Sequence, residues 1–290
     1  MKQIIECVPN FSEGRDKQVI AAIADAISRV GGVTLLNVDP GQATNRTVMT
    51  FAGTPEAVVE AAFQAIKTAS EKIDMRKHHG EHPRIGATDV CPLIPVSGVT
   101  MEQVVAYARD LARKVGEELG IPVYCYESAA FSEQRKNLAV CRAGEYEGLE
   151  EKLKDPLWKP DYGPGVYTER TASTGLTVIG ARDFLIAVNF NLNTTSVRRA
   201  NAIAFDVREK GRKVMVNGKE TWQPGTLKEC KAIGWYIKEY GIAQVSMNIT
   251  NIAVTPLHVA FDQVCDKAYS RGIRVTGTEL VGLVPKSTLL

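Results

Sequence analysis

Alternating strand and helix periods predict a mixed chain of the α/β or α+β class, built as two sandwich-like halves with a cleft between them. Two observations carry this. Short apolar runs alternate with amphipathic stretches along the chain, and the same order of elements returns after a proline- and glycine-containing stretch from Asp155 to Gly175. The boundary is placed near residue 180, giving subdomains over residues 1–180 and 181–290.

In the first half, Gln3 to Val8 is a short apolar run stopped by Pro9-Asn10, as a buried strand would be. Val19, Ile20, Ile23, Ile27 and Val30 repeat at helical spacing, and Gly31-Gly32 closes that helix. Val33 to Val38 is a second strand, ended by Asp39-Pro40-Gly41, and Arg46 to Ala52 alternates as a third. Thr54 and Glu56 open a long helix through Ile73. A strand near Val90 to Val96, a helix from Thr100 to Leu119 and a strand at Pro122 to Tyr126 follow.

The second half starts with a strand from Phe184 to Leu192 and a helix from Thr195 to Lys210. Lys213 to Val216 reads as a strand turning at Asn217-Gly218, a hairpin signal. Ala243 to Ile252, Leu257 to Arg271 and Ile273 to Thr278 read as strand, helix and strand.

Lys plus Arg number 35 against 33 for Asp plus Glu, a net charge of +2, which argues against a general nucleic-acid binder. No apolar stretch is long enough to span a bilayer, and the N-terminus does not read as a signal peptide. The six cysteines are scattered singly, so reduced, buried thiols in a cytoplasmic protein are expected. Neither a dinucleotide glycine pattern, a P-loop nor a Gly-x-Ser-x-Gly elbow occurs.

Three of the four histidines fall at 78, 79 and 82, in the segment His78-His79-Gly80-Glu81-His82-Pro83-Arg84. Gly80 and Pro83 place it on a loop. Three readings stay open on the residues alone: a solvated polar loop, a metal site using His78, Glu81 and His82, or one histidine acting as a proton shuttle. The last is favoured, because imidazole gives and accepts protons near neutral pH. It needs a carboxylate or carbonyl to fix the tautomer, and Asp39, Glu81 and Asp89 are candidates. Arg84 either grips a substrate carboxylate or pairs with Asp89. Asp39 is either a plain turn residue or a cleft residue at the end of its strand.

Several stretches together resemble the formiminotransferase family: Cys7 to Arg15, Asn45-Arg46-Thr47-Val48 with Phe51-Ala52-Gly53, the run from His79 to Pro95, Pro160 to Pro164, Gly180 to Leu185, and Glu279 to Pro285. The likeness spans essentially the whole chain. It implies an α+β fold of two ferredoxin-like subdomains, a substrate tunnel between them, and a homodimer. It implies transfer of the formimino group of N-formimino-L-glutamate to N5 of tetrahydrofolate, a co-substrate, with no metal required. Histidine degradation is the setting it implies.

By the same resemblance the catalytic histidine falls on His82 and its assisting aspartate on Asp39. Folate contacts fall in the stretch from Gly163 to Ala172, including Pro164, Gly165, Val166 and Tyr167, although residues 165–175 do not closely follow the family's loop. Asn45, Arg46, Arg84 and Arg182 are the further substrate contacts expected. Many family members carry an additional helical cyclodeaminase domain; with the sequence ending at Leu290, that step is expected of a separate protein. The rival expectations are formyl transfer between glutamate and tetrahydrofolate, a metal-dependent amidohydrolase acting on a formimino substrate, and a folate-binding module without turnover.

Overall fold

The computed structural model describes residues 2–289 and divides into two compact units, Met1–Arg182 and Asp183–Leu290. Each has its own hydrophobic core.

In the first unit the strands are β1 (Ile4–Cys7), β2 (Asn10–Phe11), β3 (Val33–Gly41), β4 (Arg46–Gly53), β5 (Thr88–Ser97), β6 (Val123–Glu127) and β7 (Thr177–Ala181). Both β1 and β2 pair with β4 on one side and β5 on the other, so they act as one strand interrupted at Val8-Pro9. The run expected to stop at Pro9 therefore continues to Phe11. Across the sheet the order is β3, β4, β1/β2, β5, β7, β6. The pairings from β3 to β5 are antiparallel, the order of a ferredoxin-like βαββαβ unit. β7 adds to β5, and β6 to β7, in parallel. β7 was not expected; its Thr177-Val178-Ile179-Gly180-Ala181 run is buried throughout and lacks the alternation that marks a half-buried strand.

Helices α1 (Lys17–Ser28), α2 (Pro55–Lys72) and α3 (Met101–Leu119) supply the other wall of the core. Asp16 caps α1 by accepting from the backbone N–H groups of Gln18 and Val19, and Ile20, Ile23 and Ile27 form its buried stripe. Thr100 and Gln103 form a capping box on α3, which buries Val104, Leu111 and Val115. Each fully buried aliphatic side chain stabilises by roughly 1.5–3 kcal/mol. Three short helices, α4 (Leu138–Cys141), α5 (Leu149–Lys154) and α6 (Glu169–Thr174), are too short to show helical periodicity, and α6 lies within the stretch from Asp155 to Gly175 read as a break between the halves. Leu149 and Leu153 join Val90, Tyr124, Tyr126 and Val178 in a second, smaller core beside β5, β7 and β6.

The rest of that sheet face carries the polar side chains Glu6, Asn10, Asp39, Arg46 and Thr50. Register places Asp39 and Asn10 opposite Val48, and Glu6 opposite Ala52. Arg46 and Thr50 alternate along β4 on the same side. This face holds the site.

The second unit contains β8 (Ile186–Leu192), α7 (Val197–Val207), β9 (Arg212–Val216), β10 (Lys219–Gln223), β11 (Cys230–Ile237), β12 (Ile242–Ile249), α8 (Leu257–Tyr269) and β13 (Val275–Val281). Its sheet runs β11, β12, β8, β13, all antiparallel, repeating the four-strand order of the first unit. The expected hairpin forms between β9 and β10, with positive φ at both Asn217 and Gly218. β11 escaped the sequence reading because Gly234 interrupts it; a Cβ there would meet the Asn201 nitrogen of α7 at 2.2 Å.

Candidate active site

The histidine segment is a loop between α2 and β5, held at both ends. Asn45 adopts a left-handed conformation, φ 46°, that few residues other than glycine tolerate as well as asparagine. Its side chain accepts from the Gly14 N–H at 2.9 Å and donates to the His79 carbonyl at 3.0 Å. Its carbonyl accepts from His78 Nε2 at 2.8 Å, so His78 carries its proton there and Nδ1 accepts from Arg84 Nε at 3.2 Å. Burial lowers the His78 pKa, keeping the ring neutral. His78 is thus a fastening of the loop.

Arg84 is the second fastening. Its guanidinium meets both carboxylate oxygens of Glu147, at 2.7 and 2.6 Å, and reaches Glu145 at 3.2 Å. Of the two roles foreseen for Arg84, pairing is what the geometry displays, with Glu145 and Glu147 as partners in place of Asp89. A cavity of about 430 Å³ beside it is lined by His79, Gly80, Arg84, Gly144, Glu145 and Glu147. Its carboxylates give it the wrong sign for a carboxylate-bearing ligand.

His82 is half-buried and faces a charged cluster. Its Nδ1 lies 2.7 Å from the Pro83 carbonyl and 3.0 Å from Nη1 of Arg46. With a proton on Nδ1 the ring donates to Pro83 and Nε2 carries the lone pair; in the other tautomer Nδ1 accepts from Arg46 and Nε2 carries the proton. Each protonation pattern has a partner waiting. Burial pushes the His82 pKa well below its ordinary 6.5, and the charges of Arg46 and Arg142 push it further, so the ring is neutral at physiological pH.

Asp89 organises those charges. It is fully buried and accepts from Arg46 Nη1 at 2.5 Å, from Arg142 Nη2 at 2.5 Å and Nε at 3.0 Å, and from the Ile85 N–H at 3.1 Å. One carboxylate therefore ties β4, the segment following His82, and the C-cap of α4 together. Burial works to raise the Asp89 pKa, but Arg142 and Arg46 outweigh it and the pKa ends below the ordinary 3.8. Desolvation draws Arg46 down to about 10. Arg46 Nε is further fixed by Asn10 Oδ1 at 2.9 Å.

Among the other expected residues, Asp39 shares Arg46's face of the sheet; Gly41, opposite Arg46, lies two residues beyond it. Arg182 follows β7, where its N–H meets the Leu93 carbonyl at 3.1 Å and its charge offsets part of the burial that raises the Glu6 pKa. Of the stretch Gly163, Pro164, Gly165, Val166 and Tyr167, Tyr167 meets the side chain of Tyr146, which in turn touches the histidine loop. The Tyr146 N–H donates to the Arg84 carbonyl at 3.0 Å and its hydroxyl to that of Ala172 at 2.5 Å. Gly163 has φ +81° and sits where a Cβ would meet the Ile121 carbonyl at 2.3 Å, so glycine is needed there. Val166 is two-thirds exposed.

Sequence reasoning missed Arg142 and Asn10; of the carboxylate or carbonyl it asked for at the ring, the Pro83 carbonyl stands 2.7 Å from His82 Nδ1. All six cysteines are free thiols. Among the described residues no helix is long and apolar enough to cross a membrane, and no three His, Cys, Asp or Glu side chains converge as a metal-ligand group.

Residues 4–182 match the family described as the formiminotransferase domain, N-terminal subdomain, and residues 187–290 match the formiminotransferase domain. The chain is 51% identical over its full length to a formimidoyltransferase-cyclodeaminase of Sus scrofa, covering 52% of that protein. It therefore spans about half the length of these bifunctional relatives. It is 41% identical over its full length to a glutamate formimidoyltransferase of Streptococcus pyogenes serotype M1, covering 92% of it. It is 43% identical over 289 residues to one of Thermoplasma acidophilum, covering 90%.

Proposed function

This chain belongs to the formiminotransferase family, and we propose that it transfers the formimino group of N-formimino-L-glutamate to N5 of tetrahydrofolate, with His82 moving the proton. The observation that carries this reading is the neutral, half-buried His82 ring beside Arg46, Arg142 and Asp89, with its Nδ1 set between the Pro83 carbonyl and Arg46.

The chemistry needs such a group. N5 attacks the formimino carbon, and the tetrahedral intermediate collapses by losing the glutamate amine. N5 sheds one proton and the departing nitrogen gains one. His82 Nε2 takes the first while Nδ1–H holds Pro83, then returns it as the C–N bond breaks, for a contribution on the order of 10²–10⁴ in rate. Its low pKa makes the imidazolium a strong acid toward the leaving amine. Holding both substrates together supplies much of the remainder. Arg46 and Arg142 make the surroundings of His82 cationic, which favours a carboxylate-bearing substrate over a metal cation and so disfavours the amidohydrolase alternative.

Asp39, on Arg46's face of the sheet, is assigned to assisting His82, orienting the imidazole or stabilising its charged form. Folate contacts are assigned to the stretch from Gly163 to Tyr167, and Asn45 and Arg84 to holding the loop. Arg182 is assigned to a carboxylate of the folate tail. We extend the reading, on family likeness, to a cytoplasmic homodimer whose product passes to a cyclodeaminase activity.

The test is a panel of formimino and formyl donors with tetrahydrofolate, read by mass spectrometry. Formiminoglutamate should yield 5-formiminotetrahydrofolate and equimolar glutamate. Preferential use of formylglutamate or 5-formyltetrahydrofolate would replace the donor, and release of glutamate without folate would favour a hydrolase.

A further inference from the structure

We propose that Arg46 and Arg142 form a carboxylate-binding subsite beside His82, and that Arg142 selects the donor by its α-carboxylate. This rests on the transfer reading above.

Two guanidiniums share one buried carboxylate, Asp89, leaving one positive charge uncompensated in that cluster. Both are nearly buried, with side chains 11% and 14% exposed. Their donors are only partly used. Arg46 spends Nε on Asn10 and Nη1 on Asp89 and His82. Arg142 spends Nε and Nη2 on Asp89. Among the described residues, Nη2 of Arg46 and Nη1 of Arg142 have no protein partner, and neither is sealed from solvent. A partly desolvated net cation with unspent N–H groups calls for an anion, and a planar guanidinium suits a carboxylate.

Two carboxylates of the reactants are candidates. In the donor, the α-carboxylate is two bonds from the nitrogen that departs. In the folate, the glutamate tail lies beyond the aminobenzoyl ring from N5. If His82 serves the departing nitrogen, the anion adjacent to His82 is the donor's α-carboxylate. Asp89 is then a positioning residue, holding both cations without touching substrate. Arg142 enters from the C-cap of α4, far from the histidine segment in sequence, and no motif marks it.

The test compares wild type with Arg142→Gln and Arg142→Lys, using N-formimino-L-glutamate and N-formimino-4-aminobutyrate, which lacks the α-carboxylate. Losing a charge-assisted contact should raise KM for formiminoglutamate by roughly 10- to 100-fold in Arg142→Gln, with KM for tetrahydrofolate within about twofold. Wild-type preference for formiminoglutamate over the aminobutyrate donor should collapse in that variant, and Arg142→Lys should recover part of it. An unchanged donor preference in folded Arg142→Gln, or a rise in KM for tetrahydrofolate alone, overturns the proposal. Should Arg142→Gln fail to fold, an unaltered preference in Arg142→Lys overturns it and a weakened one supports it. Calorimetric titration of L-glutamate separates the two readings: binding by wild type that is lost in Arg142→Gln supports the subsite even if no transfer occurs. Equal binding by both contradicts it.

Discussion

Nη1 of Arg46 lies 3.0 Å from Nδ1 of His82 while the same nitrogen donates to Asp89 at 2.5 Å. A buried carboxylate thereby sets where the cation stands, and the cation sets the protonation of the ring.

The first consequence concerns pH. Because burial, Arg46 and Arg142 all lower the His82 pKa, the base form persists below the ordinary 6.5, and the acid limb of kcat/KM should fall under that value. Arg46→Met removes one of the lowering charges, so its acid limb should move upward toward 6.5. A limb that stays in place, or moves down, separates His82 from the observed titration.

Asp89 makes a stability prediction. Its folded pKa is depressed below 3.8, so its contribution is present above the unfolded pKa and is lost as pH falls through the folded one. Chemical denaturation of Asp89→Asn at neutral pH should show a loss of about 3–5 kcal/mol, since two buried guanidiniums lose their partner. The gap from wild type should narrow as pH drops below about 4. A gap that widens in acid would contradict the depressed pKa.

Arg84 offers a choice between two roles. If it pins the loop through Glu147, then Arg84→Gln and Glu147→Gln should lower kcat and thermal stability together, with KM for either substrate changed by less than about threefold. A rise in KM confined to Arg84→Gln would return it to gripping substrate.

Asn45 should be replaceable in backbone but not in side chain. Asn45→Gly accepts the positive φ yet loses the bonds to Gly14 and His79, whereas Asn45→Ala adds backbone strain of roughly 1 kcal/mol. Thermal melts should rank wild type above Asn45→Gly above Asn45→Ala. Equal melting of the two variants would remove the argument from φ.

Much of this was legible before the structure. Periodicity marks α1 through its isoleucine stripe and α3 through its apolar face, and the Asn217-Gly218 turn reads directly as a hairpin. The histidine loop stands out because Gly80 and Pro83 exclude regular structure around three imidazoles. What stayed hidden is long-range. Asp89 meets Arg46 across 43 residues and Arg142 across 53, and no local pattern encodes either pairing. The strand β7 is hidden for a different reason: buried on both faces, it has no alternation to read. Arg84's partners, Glu145 and Glu147, stand in a stretch whose helices are too short to announce themselves.

One measurement bears most directly on the whole account: folate-dependent glutamate release from N-formimino-L-glutamate by wild type and His82→Ala, with tetrahydrofolate binding followed in parallel. The account predicts turnover by wild type, a fall in kcat of roughly 10²–10⁴ in His82→Ala, and folate binding within a few-fold of wild type. A His82→Ala enzyme that turns over at the wild-type rate while binding folate normally would contradict it.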